Sequence, residues 1–113
     1  MIGKTVHGVV VFGEGVDDQT RCGHWHSDLD IIAIKFKCCG RWYPCFECHA
    51  ELADHEPVVW PKGEFDEKAI LCGACGHQMT INEYINCASS CPSCGSKFNP
   101  GCANHYHLYF EMP

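Results

Sequence analysis

Cysteine and histidine are the residues of this sequence that can do chemistry, and they fall in short, regular groups. The 113-residue chain has 11 Cys and 8 His. They occur as Cys22-Gly23-His24, Cys38-Cys39-Gly40, Cys45-Phe46-Glu47-Cys48-His49, Cys72-Gly73-Ala74-Cys75-Gly76 and Cys91-Pro92-Ser93-Cys94-Gly95, with His55 following the third group. A Cys-x-x-Cys turn brings two sulfurs to one tetrahedral centre, and a following glycine supplies the backbone conformation that turns amide N–H groups toward the thiolates. The odd cysteine count and the histidines beside cysteines favour zinc over disulfides, which belong to oxidising compartments and do not recruit histidine. The start, Met1-Ile2-Gly3-Lys4, has no hydrophobic targeting core and agrees with that choice.

Spacing groups the donors. Cys72, Cys75, Cys91 and Cys94, with fifteen residues between the two knuckles, form a zinc ribbon. Cys45 and Cys48 chelate one ion, whereas His49, about 100° around a helix from Cys48, is turned toward another. An interleaved pair of sites follows: Cys22, His24, Cys45 and Cys48 for one zinc, and Cys38, Cys39, His49 and His55 for a second. Chelation by the adjacent Cys38 and Cys39 is cramped, and spacing leaves open the exchange of one donor between these two sites. Three closed four-ligand sites have no position for an activated water, which argues against zinc catalysis. No nucleophile and base stand together either, His77 reading as a residue beside the ribbon. The chain is expected not to be an enzyme.

Cys87, Cys102 and five histidines lie outside these twelve. Cys87 reads as a small, partly buried thiol. A fourth zinc would draw on Cys102 with His105, His107, His26 or His7. The competing reading is a half-buried C-terminal strand with hydrogen-bonded imidazoles, placing His105, His107 and Tyr109 on one face and Tyr106, Leu108 and Phe110 on the other.

The elements that must position the donors are short. Residues 29–36 read as a buried strand delivering Cys38 and Cys39, and Arg41-Trp42-Tyr43 as a short strand leading into Cys45. Residues 50–54 read as a brief helix that stops before His55, consistent with Glu56-Pro57. Residues 68–71 form a strand entering the ribbon, and Thr80-Ile81-Asn82-Glu83 is a capping box opening a helix over 81–86. Trp25, Trp42 and Trp60 are expected to fill a thin core between zinc sites, with Lys35, Lys37 and Arg41 on a solvated strand face. Residues 6–12 or 105–110 would offer an unpaired outer strand. The expected fold is small, zinc-stabilised α+β: short β-hairpins and zinc knuckles with one or two short helices, ending in a zinc ribbon. It forms one domain over 1–113, with the interleaved two-zinc part at 6–62 and the ribbon part at 66–110. A chain this short buries only about two thirds of its extended surface, so zinc must supply much of the folding free energy.

Composition narrows the partners. A formal net charge of −6 excludes the basic footprint that nucleic acid requires. With 46% hydrophobic residues the chain is not disordered, yet runs such as Val9-Val10-Val11-Phe12 are far too short to span a bilayer. The expectation is a cytoplasmic protein without membrane or nucleic-acid contacts. Its function is that of a structural zinc-binding module engaging a protein partner, or alternatively of a zinc-transfer or thiol-redox accessory protein.

The order Cys22-x-His24-Trp25, Cys38-Cys39, Cys45-x-x-Cys48-His49, His55, Cys72-x-x-Cys75 and Cys91-x-x-Cys94 resembles the CHY-type zinc finger, with Trp25 where the eponymous tyrosine normally stands. The resemblance covers about residues 6–110. It implies three zinc ions per chain, in agreement with the pairing above. Larger eukaryotic members carry a RING domain and are ubiquitin ligases, but no further eight-ligand set follows here, so that activity is not carried over. The chain is more similar to small stand-alone members, which include prokaryotic proteins and the mitochondrial "helper of Tim" group. The latter implies handling of cysteine-rich import chaperones, by thiol oxidation or zinc handling, in the intermembrane space.

Overall fold

The computed structural model describes residues 3–13, 15–87, 89–99 and 106–111. Strands β1 (Lys4–Val6), β2 (Val9–Val11), β3 (Ile32–Lys35), β4 (Trp42–Tyr43), β5 (Lys68–Cys72) and β6 (Gln78–Thr80) form a single six-stranded sheet in the order β1-β2-β4-β3-β5-β6. Helices α1 (Phe46–Leu52), α2 (Ile81–Ile85) and α3 (Tyr106–Tyr109), with a 3-10 turn at Lys62–Glu64, complete the small α+β architecture. Every neighbouring pair is antiparallel except β2 with β4.

Strand β3 occupies the middle because its residues are apolar on both faces: Ile32, Ala33 and Ile34 are all buried. It pairs on one side with β4 and on the other with β5, through Ile32↔Cys72, Ala33↔Leu71 and Ile34↔Ile70. That pairing joins residues 32–34 to residues 70–72 through backbone hydrogen bonds. One face of the sheet carries most of the core, including Ile34, Phe36, Tyr43, Trp60, Ile70, Met79, Tyr84, Phe98 and Phe110. A smaller group, Val6, Val11, Ala33 and Leu71, lies apart from it. Five of the cysteines (Cys22, Cys45, Cys48, Cys72 and Cys91) are themselves core residues.

Several local expectations shift. Residues 6–12 are not one outer strand but part of a hairpin turned at His7 and Gly8, whose φ angles of +50° and +80° suit the tight two-residue turn that matches strand twist. The regular strand within 29–36 is confined to Ile32–Lys35, and Leu29 is exposed. Helix α1 starts earlier than expected, because the Cys45 sulfur accepts a hydrogen bond from the Cys48 amide at 3.4 Å and so caps it. Cysteine is not among the usual N-cap residues, which is why the sequence hid this start. The capping box is present, with Thr80 and Glu83 bonding reciprocally at the head of α2.

The C-terminal strand is a correction. Residues 106–109 are helical, and Phe110 makes an isolated bridge to Trp60. Tyr106, Tyr109 and Phe110 follow the i, i+3, i+4 spacing of a helix face, and packing them against Tyr84, Phe36 and Phe65 outweighs the period-two pattern. Cys102 and His105 lie outside the described residues. Trp60 is buried, with its indole N–H donating to the Lys35 carbonyl at 2.7 Å, whereas Trp42 is half-buried and Trp25 is exposed at the surface. Lys37 is not free on a solvated face: it pairs with Glu64 and lies over the Trp60 ring.

Gly73 is fixed by a close approach. A Cβ there would sit 2.1 Å from the Gln19 carbonyl oxygen, a backbone atom that cannot yield alone. Gly73→Ala is therefore expected to destabilise the zinc-loaded protein by about 3 kcal/mol, measured by denaturant unfolding. Gly63→Ala, with open space around its Cβ position, serves as the control.

Candidate metal centres

The donors come together in three groups of four: Cys22, His24, Cys45, Cys48; Cys38, Cys39, His49, His55; and Cys72, Cys75, Cys91, Cys94. Within each group the potential ligand atoms lie within 4.8 Å of one another. All twelve residues picked out by spacing are included, in the interleaved arrangement, with no exchange between the first two groups. Among the described residues no further group of three such donors forms. His7 is hydrogen-bonded to the Gly73 carbonyl at 2.8 Å, His26 and His107 are exposed, and the Cys87 thiol donates to the Tyr84 carbonyl at 3.0 Å. His77 stands beside the ribbon, 3.9 Å from Glu83.

The separations test whether an ion fits. A tetrahedral zinc with bonds of about 2.3 Å to sulfur and about 2.05 Å to nitrogen sets S···S edges near about 3.8 Å and S···N edges near about 3.6 Å. The sulfurs of Cys22 and Cys45 are 3.6 Å apart, those of Cys72 and Cys94 3.9 Å, and those of Cys75 and Cys91 3.7 Å. Nδ1 of His24 lies 3.5 Å from Cys45 and 3.4 Å from Cys48. In the second group Cys38 is 3.2 Å from Nε2 of both His49 and His55 and 3.9 Å from Cys39. These separations fit the edges of a tetrahedron around one ion in each group, and they are far longer than an S–S bond of about 2.05 Å.

Local structure explains how each donor is aimed. Cys45 caps α1, Cys48 and His49 follow inside it, and the helix turns these neighbours toward different clusters. The adjacent Cys38 and Cys39 fit one centre because residues 37–39 turn and Gly40, at φ +68°, returns the chain, its amide bonding to the Phe36 carbonyl. In the ribbon Gly76 and Gly95, at φ +83° and +77°, donate to the carbonyls of Cys72 and Cys91 and close two equivalent turns.

The surroundings suit metal ligation. The His49 ring, fully buried and stacked on Phe36 at 4.2 Å, is held neutral by burial and then by neighbouring His55, which leaves an imidazole lone pair available. The Cys22 thiol is pulled well below the usual thiol range, first by its contact with Cys45 and then by Cys48, while the same contact pushes Cys45 up. One negative charge thus forms readily in this cluster, and the remaining protons are those that a divalent ion displaces. In the ribbon, burial raises Cys72, whereas Ser96 brings the exposed Cys94 thiol down to about 6.

Comparison with known proteins agrees with this donor order. The sequence profile of the CHY zinc finger matches residues 22–106, from the first predicted donor past the last. The chain belongs to the CHY zinc finger family. It is a zinc-binding module, as the family and the three Cys/His clusters together require. This CHY zinc finger is 50% identical over 106 residues to "Helper of Tim protein 13" of Saccharomyces cerevisiae, covering 91% of each chain. It is 42% identical to the protein of the same name in Kluyveromyces lactis, across 88% of this chain and 87% of that one. It is also 42% identical to "Uncharacterized protein C29B12.12" of Schizosaccharomyces pombe, across 89% and 88%. No solved structure is significantly similar to it. No helix among the described residues is long and apolar enough to cross a membrane.

Two carboxylates outside the donor set were not legible in the sequence. Glu51 reaches Nε2 of His24 at 2.8 Å, leaving Nδ1 for the first cluster, and Asp54 reaches Nδ1 of His55 at 3.0 Å, leaving Nε2 for the second. Both come from α1 or the residues just beyond it. The only available signal was the short distance between these acids and the donors of the third motif. Such partners fix the tautomer and orientation of a ligating imidazole, and removing one typically weakens metal binding 10–100-fold. Because Glu51 is half exposed, the lower figure applies: Glu51→Gln is expected to speed zinc loss to a chelator by about tenfold. Glu47→Gln, one turn earlier, should leave the rate unchanged.

Proposed function

We propose that this CHY zinc finger holds three zinc ions through the twelve residues above and acts without catalysis, by binding a protein partner. We further assign that partner to the Tim proteins of mitochondrial import and the site of action to the intermembrane space, in preference to the cytoplasm. The observation that carries the reading is 50% identity, over 91% of both chains, to a relative named Helper of Tim protein 13. Four protein donors at each cluster, spaced as tetrahedron edges, supply a full coordination shell and support a structural role for the metal. The acidic balance of −6 supports a protein over a nucleic-acid partner. The test is titration calorimetry of the zinc-loaded chain with purified Tim proteins from its own organism. Saturable binding to at least one of them is expected, and absence of heat or complex with all of them overturns the assignment.

A second reading is favoured by the ribbon cluster. Cys75 and Cys94 are exposed, and the Cys94 thiol is already acidified by Ser96, so that cluster is open to a competing thiol protein. On this reading the chain passes zinc to or from cysteine-rich clients. Transfer of one zinc within minutes to an apo-thiol protein supports it, and retention of every ion over hours sinks it.

A further inference from the structure

Helix α1 has a second face that the metal clusters do not use. Cys48 and His49 point inward and are fully buried. Phe46 and Ala50, four residues apart, share another face of the helix, and Ala53 follows as its extended C-cap. Together with Asp54, His55, Glu56 and Pro57 they line an open cleft of about 470 Å³, within the size range of binding pockets. Val58 and Val59, 48% and 37% exposed, follow directly in the chain.

The lining of this cleft includes the carboxylates Asp54 and Glu56, and the nearby cation, Arg41, acts on Asp54. Residues 42–61 contain Glu47, Glu51, Asp54 and Glu56 and neither Lys nor Arg. Glu51 and Asp54 are engaged by His24 and His55, while Glu56, in the lining, and Glu47, next to Phe46 in the chain, are exposed. The cleft is also held in shape. Donors of two clusters sit on α1, and His55, a donor of the second, forms part of the wall, so little ordering is needed on binding.

We propose that this cleft docks a segment of the protein partner in which one apolar side chain is flanked by Lys or Arg. The apolar residue seats against Phe46, Ala50, Ala53 and Pro57, and the cations face Glu47 and Glu56. The proposal rests on the protein-binding reading above and deepens it by naming the surface and the chemistry of what it accepts.

Selection of random displayed peptides on the zinc-loaded full chain tests it. Recovered peptides are expected to share an apolar residue between basic ones and to shift the amide resonances of Phe46, Ala50 and Ala53. Ala50→Arg and Glu56→Lys, both at exposed positions, should each weaken those peptides about tenfold while zinc content and fold are retained. Recovery of no peptide, of peptides without basic residues, or of peptides indifferent to both variants overturns the proposal. The two readings separate cleanly. If a Tim protein binds the native chain and Ala50→Arg equally well, the cleft is overturned and the partner assignment stands. If the peptides bind as described but no Tim protein does, the assignment fails and the cleft stands.

Discussion

Stripping zinc with a strong chelator is expected to unfold the protein, expanding its radius of gyration from the 12.6 Å of the folded chain toward about 34 Å. The magnitude follows from how little else holds the fold. The strands are two to five residues long and the helices four to seven, below the length at which helices are stable alone. Zinc sites in small domains supply apparent free energies of about 10–16 kcal/mol each, whereas a whole domain is ordinarily stable by only about 5–15 kcal/mol. Losing all of them therefore removes more than the total.

Burial sharpens this expectation. Cys22, Cys45, Cys48, Cys72 and Cys91 contribute walls of the same core that contains Phe36, Tyr43, Ile70 and Phe110. When the ion leaves, its donors no longer pull these segments together, and the core loses part of its boundary along with the metal bonds. Small-angle scattering and amide spectra report the change directly. A chelated chain that kept its compact radius and dispersed amide signals would show that the sheet folds without metal, contrary to this account.

What the sequence made legible follows from the chemistry of each signal. Donor grouping was readable because chelation geometry is local: two sulfurs within one turn, or neighbours on a helix turned by about 100°, limit which residues can meet. The helix opening at Thr80 was readable for the same reason, its cap being written in four consecutive residues. Features decided by tertiary packing were hidden. Tyr106, Tyr109 and Phe110 fit a strand or a helix equally well until Tyr84 and Phe36 are in place. Joining β3 to β5 across more than thirty residues depends on burying Ile32–Ile34 on both sides, which no local pattern specifies. Glu51 as a partner of His24 was hidden because it takes on that role only when a distant segment arrives, and Cys45 as a helix cap because cysteine is not a usual cap residue.

Replacing Cys48 by alanine is expected to cost the protein two zinc ions rather than one, with native mass spectrometry showing a fall from the proposed three to one. Cys48 is a donor of the first cluster only, so the direct loss is one ion. The second loss comes through α1. That helix is seven residues long, is capped by Cys45 and carries His49 beside Cys48. With the first cluster reduced to Cys22, His24 and Cys45, the helix loses the bond that anchors its first turn, and an unanchored segment of this length does not stay helical. His49 then leaves its stacked position on Phe36, and Cys38, Cys39 and His55 are left without their fourth donor. The ribbon cluster draws all four donors from residues 72–94 and none from α1, so its ion should remain. Cys94→Ala, at an exposed donor of the ribbon, gives the opposite pattern: two ions retained and one lost. If Cys48→Ala kept two ions instead, the first two clusters would be independent, and α1 would be a passive carrier of both rather than the element that couples them.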